Sequence, residues 1–149
     1  MTVGEPHYIK LTRVFSAPRE EVFSALADES HLRRWCAPRG FAVEECVAAK
    51  APGDAWRLHM RSPKGNDYRS GGVCAEIAAP ARLVYTHSWE DENDVRSPET
   101  TVTITLEEWA GKTLLTFHQG VFPSVESRDG HEEGWCTSLE KLAEHLGEK

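Results

Sequence analysis

Seven histidines are the residues of this sequence that could hold a metal ion or transfer a proton near neutral pH, and their spacing favours neither use. They stand at positions 7, 31, 59, 87, 118, 131 and 145. His131-Glu132 lacks the second histidine that an H-E-x-x-H zinc motif requires. The four cysteines are scattered and form no C-x-x-C pair. The sequence therefore predicts no metal site.

Nucleophilic and phosphate chemistry also lack a signature, since the chain contains neither a G-x-S-x-G elbow nor a G-x-x-x-x-G-K-[ST] loop. Glu44-Glu45 and Glu107-Glu108 are adjacent pairs, which a strand points to opposite faces, so neither can act as a catalytic dyad. His87 shares strand parity with Tyr85 and Trp89 and could reach the interior. A hydrogen-bonded core histidine and a ligand-binding or catalytic histidine both fit that position. No cofactor is expected, and none of these motifs indicates that the protein is an enzyme.

Five tryptophans carry more information than the histidines. Trp109 ends its strand beside a turn and is the one least expected to point inward. The other four, which fall on predicted inner faces, are Trp35, Trp56, Trp89 and Trp135. Together they fit either a solid core or the wall of a partly open cavity, the kind of site where small ligands bind. Gly134, beside Trp135, indicates either close approach of the helix backbone to a strand or loop, or a kink or late helix start after Asp129-Gly130.

The elements that would position these residues are one strand, two short helices, about six further strands and one long helix. The predicted bounds are His7–Phe15 for the first strand, a short helix after Pro18 and another over Asp28–Trp35, strands near Phe41–Val47, Ala55–Arg61, Tyr68–Ala78, Arg82–Trp89, Thr100–Trp109 and Thr113–Gln119, and a helix over His131–Leu146. Short turns between consecutive strands indicate an antiparallel meander rather than βαβ units. Gly71-Gly72 predicts a bulge. The fold class is α+β, and residues 1–149 form one domain.

The last helix must cover the apolar face of this sheet. Trp135, Leu139, Leu142 and Leu146 recur at helical spacing and form one apolar face. A helix of roughly 16 to 20 residues is about 24 to 30 Å long, enough to cross the sheet. Trp135 and Leu139 are expected to touch a ligand in any remaining gap, and the two later leucines are expected to be core.

Charge and composition exclude several classes of partner. A net charge of −7 disfavours nucleic acid and anionic membrane surfaces, which attract basic proteins. The N-terminus lacks the pattern of a signal peptide, and no apolar run approaches the roughly 18 to 20 residues that span a bilayer. In a chain without a secretion signal, cysteines are expected to be reduced thiols. We therefore expect a cytoplasmic protein with neither a nucleic-acid partner nor membrane insertion.

Several local strings resemble the family of proteins similar to the activator of heat-shock protein 90 ATPase. They are Arg13-Val-Phe-Ser-Ala-Pro-Arg-Glu-Glu-Val-Phe23, Leu32-Arg-Arg-Trp35, Glu76-Ile77, Pro80-Ala-Arg-Leu-Val-Tyr85, and Gly134-Trp135 with Leu139 and Leu142. The resemblance covers nearly the whole chain. It implies the helix-grip fold of the START and birch-pollen-allergen-like (SRPBCC) superfamily, in which a curved antiparallel sheet of about seven strands wraps a long C-terminal helix and leaves a hydrophobic ligand cavity. Members bind lipids, polyketides and other apolar molecules, and some use the cavity as an active site.

Three hypotheses for function follow from these features. The first is a protein, monomeric or homodimeric, that binds a small apolar molecule such as a lipid, polyketide or aromatic compound, with Tyr85 and His87 orienting its polar end. The predicted ligand-binding residues are Trp35, Phe41, Trp56, Met60, Tyr85, His87, Trp89, Phe117, Trp135 and Leu139. The second is an enzyme that cyclises, dehydrates or hydrolyses such a ligand, which needs at least two inward polar groups within reach of each other. The third is a chaperone-associated interaction module, which the acidic surface and the 90–98 loop permit.

Overall fold

The computed structural model describes residues 7–91, 93 and 95–147, and within them the chain forms seven strands and three helices. In chain order these elements are β1 (His7–Phe15), α1 (Arg19–Ala27), α2 (Glu29–Trp35), β2 (Ala42–Val47), β3 (Ala55–Arg61), β4 (Asp67–Ala78), β5 (Arg82–Glu90), β6 (Thr100–Trp109), β7 (Lys112–Phe122) and α3 (Val125–His145). Neighbouring strands are antiparallel, in the order β1-β7-β6-β5-β4-β3-β2. The predicted α+β helix-grip arrangement is confirmed.

Two short helices connect β1 to β2, and each begins at a residue suited to that place. Pro18 occupies the N-cap of α1, where its missing N–H costs no hydrogen bond. Asp28 caps α2, and its carboxylate accepts a hydrogen bond from the backbone N–H of Ser30 at 2.8 Å. Trp35 at the end of α2 is 2% exposed, and its indole donates to the carbonyl of Ala25 at 2.8 Å. That bond ties α2 to α1.

The long helix begins six residues before the predicted start at His131, since α3 spans Val125–His145. Ser124 is the N-cap, and its hydroxyl accepts a hydrogen bond from the N–H of Ser127 at 3.1 Å. The predicted boundary at Asp129-Gly130 was therefore wrong, because both residues lie inside the helix. Each interior glycine costs a helix about 1 kcal/mol, and packing of the whole inner face outweighs that cost.

The solid part of the core includes the inner faces of β6, β7 and α3. The alternation predicted for β6 is confirmed, since Val102, Ile104 and Leu106 are at most 3% exposed. On α3 the covering residues are Leu139 at 5% exposure and Leu142 at 0%. Burying each of these large aliphatic side chains contributes about 1.5 to 3 kcal/mol. This packing fixes the helix on the sheet.

The paired glycines of β4 serve close packing rather than the predicted bulge. The register between β4 and β5 shifts between Cys74 and Glu76, not at Gly71-Gly72. A Cβ atom at Gly72 would lie 1.9 Å from the carbonyl oxygen of Thr86 on β5. Any side chain at this position would therefore push β5 away from β4.

Replacing Thr113 with valine should destabilise the fold by about 1 to 3 kcal/mol, because it leaves a buried carbonyl without its donor. Thr113 is 0% exposed, and its hydroxyl donates to the carbonyl of Ala17 at 2.6 Å. Valine keeps the shape of the side chain but cannot donate. Urea unfolding followed by circular dichroism measures the loss. The matched control is Thr101→Val at an exposed position of β6, and equal effects at both sites would contradict the prediction.

Candidate functional site

A cavity of about 940 Å³ lies between the N-terminal half of α3, helix α2 and the β2–β5 side of the sheet. Its lining on α3 runs from Glu126 to Ser138, and on the sheet it includes residues of β2, β3, β4 and β5. Ligand pockets usually measure about 300 to 1,000 Å³. The size and the position both match those of a small-molecule site.

Eight of the ten predicted ligand-binding residues line this cavity, and two do not. The eight are Trp35, Phe41, Trp56, Met60, Tyr85, His87, Trp89 and Trp135. Phe117 is 0% exposed, and its ring lies 4.3 Å from that of Trp135, between centroids, so it supports the wall from behind. Leu139 is 5% exposed and belongs to the packed core. Neither side chain lines the cavity, because β7 and the middle of α3 pack directly on each other.

The four cavity tryptophans contribute carbon surface, because each indole N–H is already bonded within the protein. The acceptors are the Ala25 carbonyl for Trp35 at 2.8 Å, the Thr86 carbonyl for Trp56 at 2.8 Å, His131 Nε2 for Trp89 at 2.7 Å and Gln119 Oε1 for Trp135 at 2.8 Å. Trp109 lies outside the cavity and is 58% exposed, as predicted. Hydrogen bonds thus fix the orientation of the aromatic wall.

His131 is a cavity residue that the sequence reasoning missed. Its Nδ1 lies 2.6 Å from the carbonyl of Ser127, which can only accept a hydrogen bond. The Nδ1 atom therefore carries the proton, and Nε2 accepts from the indole of Trp89. His131 precedes Trp135 by four residues on the inner face of α3, and this helical spacing was the available signal.

A buried polar relay joins α3 to three strands behind the aromatic wall. Trp135 donates to Gln119 of β7, and Gln119 Nε2 donates to the Thr100 hydroxyl of β6 at 2.9 Å. Thr100 in turn donates to the carbonyl of His87 on β5 at 3.4 Å. Gln119 is 0% exposed, so losing any of these partners would leave a buried polar group unsatisfied. Gln119 was missed, although it shares strand parity with Phe117; its partners carry no signal in the sequence.

His87 is buried as predicted, and its ring lies among aromatic rings. The ring centroids of Trp56, Trp89 and His131 lie 5.6, 5.0 and 6.0 Å from that of His87. Burial lowers the pKa of His87 from 6.5 to about 4, with a smaller contribution from His131. The imidazole is therefore neutral at pH 7.

Tyr85 and Ser70 are inner polar side chains without a hydrogen-bond partner among the described residues. Burial raises the pKa of the Tyr85 hydroxyl above its usual range, and the nearby Cys36 adds to the shift. Ser70 is 3% exposed, and its hydroxyl has no hydrogen-bond partner within the described part of the chain. No hydrogen bond joins Tyr85 to His87 in the part of the chain that the structure describes. Ser70 was missed because a lone serine between Arg69 and Gly71 carries no distinctive signal.

Aromatic residues also lead from the surface into the cavity. Tyr68 is 41% exposed, and its ring centroid lies 5.7 Å from that of Phe41 and 6.4 Å from that of Trp89. Asp91 and Glu126 are exposed residues of the same lining. The opening is therefore bordered by aromatic rings and carboxylates.

The remaining histidines lie outside the cavity. His31 Nδ1 and His145 Nε2 lie 2.8 Å apart. His118 is exposed and stacks on Tyr8 at 5.1 Å between centroids, and His59 contacts Asp67 at 2.8 Å. Among the residues described, no three His, Cys, Asp or Glu side chains are placed to share a metal ion. None of the described helices is long and apolar enough to cross a membrane.

A seven-stranded antiparallel sheet that holds a long C-terminal helix over an apolar cavity defines a helix-grip protein with a ligand-binding cavity fold. The family model "Activator of Hsp90 ATPase homolog 1-like protein" matches residues 16–147, and the chain belongs to this family, within the SRPBCC superfamily. None of the curated proteins compared with the chain matches it significantly.

Solved structures share this fold over nearly the whole chain. The AHSA1 protein from Silicibacter pomeroyi is 28% identical with a TM-score of 0.86, over 94% of this chain and 97% of that one. A protein from Chromobacterium violaceum is also 28% identical, with a TM-score of 0.83 over 92% and 94%. A protein from Mycobacterium smegmatis is 20% identical with a TM-score of 0.81 over 95% and 91%, and that likeness concerns the fold alone.

Proposed function

We propose that this protein binds a small apolar molecule, such as a lipid, polyketide or aromatic compound, between the sheet and α3. The observation that carries the proposal is the cavity of about 940 Å³, whose tryptophan N–H groups are all bonded within the protein. A ligand can contact the carbon surface of such a wall without breaking any hydrogen bond of the protein. Affinity would come from removing apolar surface from water.

The proposed contacts divide into an apolar wall and a polar end. Trp56, Trp89 and Trp135 would contact the body of the ligand, while Tyr85 and His87 would orient its polar group. An aromatic group that buries about 200 Å² gains about 5 kcal/mol, from which the cost of immobilisation must be subtracted. Micromolar to millimolar dissociation constants are therefore expected for small test compounds.

The proposed site of action is the cytoplasm. All four cysteines are free thiols, which supports a reducing compartment. Cys36 and Cys46 also border the cavity.

Binding of N-phenyl-1-naphthylamine, a neutral probe that fluoresces in apolar surroundings, tests the proposal. The Trp109→Phe variant removes the indole outside the cavity, so energy transfer to the probe then comes from the four cavity tryptophans. We expect saturable binding of one probe per chain and undiminished energy transfer in the variant. Native mass spectrometry of freshly purified protein should also detect a bound small molecule. Absence of both saturable probe binding and a co-purifying molecule would refute the proposal.

A further inference from the structure

Ser70 lies on the cavity wall, and its buried hydroxyl has no hydrogen bond to any of the residues that the structure describes. It pairs with Leu58 on one side and Trp89 on the other, and both neighbours line the cavity. Ser70 is 3% exposed, and its hydroxyl oxygen has no partner among the described residues. Buried hydroxyls without partners are uncommon and unfavourable. A molecule in the cavity is the natural source of the missing bond.

His87 stands beside Ser70 on the neighbouring strand. Trp89 of β5 lies directly opposite Ser70, and His87 is two residues from Trp89 along the same strand. Ser70 and His87 are therefore diagonal neighbours, and such residues lie about 7 to 8 Å apart. The His87 ring hydrogen-bonds to its own backbone, which leaves the second nitrogen of the neutral ring to bind a ligand. Ser70 and His87 could therefore bind one oxygen-bearing group from two sides.

Among the residues described, none presents a cationic side chain on the inner wall that could pair with a carboxylate. The arginines whose residues belong to the lining are Arg57 and Arg69. They alternate along their strands with Leu58 and Ser70, so their side chains leave the opposite face of the sheet. Arg57 is exposed there and lies 3.6 Å from Glu45. A carboxylate in the cavity would lose its hydration without gaining an ion pair.

The surface around Ser70 and His87 is made of contiguous rings. The Trp56 ring lies 5.4 Å from that of Tyr85 and 5.6 Å from that of His87, and the His87 ring lies 5.0 Å from that of Trp89, all between centroids. Stacked and edge-on ring contacts add to the gain from buried area. This surface fits a flat aromatic body better than a flexible alkyl chain.

We infer that the cavity recognises an aromatic molecule carrying a neutral hydroxyl or carbonyl group, which Ser70 and His87 bind, and that it discriminates against aromatic carboxylates. The inference rests on the proposed function and specifies the ligand class of the same cavity. The fall in the pKa of His87 to about 4 agrees with it, because the ring carries no positive charge at pH 7.

Four compounds that share one ring system test the inference: naphthalene, 2-naphthol, 2-naphthoate and 2-naphthyltrimethylammonium, each competing with N-phenyl-1-naphthylamine at pH 7. We expect 2-naphthol to bind about tenfold more tightly than naphthalene, the ratio that one hydrogen bond supplies. The carboxylate should bind more weakly than naphthalene. In the Ser70→Ala variant, the affinity for 2-naphthol should fall about tenfold while that for naphthalene stays unchanged.

Ser138→Ala is the matched control, because Ser138 also lines the cavity but its hydroxyl donates to the Cys36 carbonyl at 3.2 Å. This variant should keep the preference for 2-naphthol. Equal binding of naphthalene and 2-naphthol, tightest binding of either charged compound, or no change on Ser70→Ala would overturn the inference and leave the apolar cavity function standing. If none of the four compounds and no probe binds, the proposed function fails as well.

Discussion

Lowering the pH from 7 to 4 should reduce the free energy of unfolding of the wild-type protein by about 3 kcal/mol more than that of a His87→Leu variant. The reason is that the folded protein keeps His87 in a cavity wall where an imidazolium is poorly solvated. Burial, and then the nearby His131, lowers its pKa from 6.5 to about 4. Urea unfolding at several pH values, followed by circular dichroism, measures the difference.

The direction of this pH effect follows from which state of the protein, folded or unfolded, binds the proton. Between pH 6.5 and 4, the unfolded chain protonates His87 and the folded chain does not, so acid favours the unfolded state. The contribution of His87 to stability is therefore fully present above about pH 7 and is lost as the pH falls towards 4.

Other titratable groups lie near His87 or have shifted pKa values, and their effects on stability must be distinguished from that of His87. His131 faces His87 from α3 at 6.0 Å between ring centroids, and Tyr85, on the same strand, stays neutral because its pKa is raised. His145 has a lowered pKa caused mainly by burial, which adds an acid-dependent loss of the same sign. The loss at His145 occurs in both proteins and cancels in the comparison. A His118→Gln variant, at an exposed position, should follow the wild-type curve, and parallel curves for wild type and His87→Leu would disprove the assignment.

The fold was predictable because its two strongest patterns are local. Alternation in β6 identified Val102, Ile104 and Leu106 as inner residues, and helical spacing placed Leu142 on the inner face of α3. Both patterns depend only on the period of one element. The start of α3 was not predictable in the same way, since Asp129-Gly130 looks like a boundary and packing against the sheet decides otherwise.

The sequence predicted which side chains face the interior, but not which of them line an open cavity. Alternation correctly turned Tyr85, His87 and Trp89 towards the interior, where they line the cavity. The same reasoning placed Phe117 there too, although it packs behind Trp135. Periodicity reveals which face a residue occupies, and the distance between the helix and each strand decides whether that face is filled or open. Partners such as Gln119 for Trp135 depend on that distance as well.

Replacing Gly134 with tryptophan should reduce the affinity for N-phenyl-1-naphthylamine at least tenfold without destabilising the protein. Gly134 lines the cavity, and a Cβ atom there would meet no other atom within 4 Å. Close approach of a strand or loop, one of the two alternatives that the sequence left open, is therefore excluded, and the glycine instead leaves space open. A large side chain would occupy the volume that a ligand needs. Directly excited probe fluorescence measures binding without interference from the added indole.

Gly134→Ala separates the effect on the helix from the effect on the cavity. Alanine should raise the free energy of unfolding by about 1 kcal/mol, because glycine is the poorer helix former, and it should leave probe binding nearly unchanged. Tryptophan also has a higher helix propensity than glycine, so a loss of binding in Gly134→Trp cannot be ascribed to unfolding if the variant is at least as stable as wild type. Undiminished binding in a stable Gly134→Trp protein would mean that ligands bind elsewhere, because a filled site cannot also hold the probe.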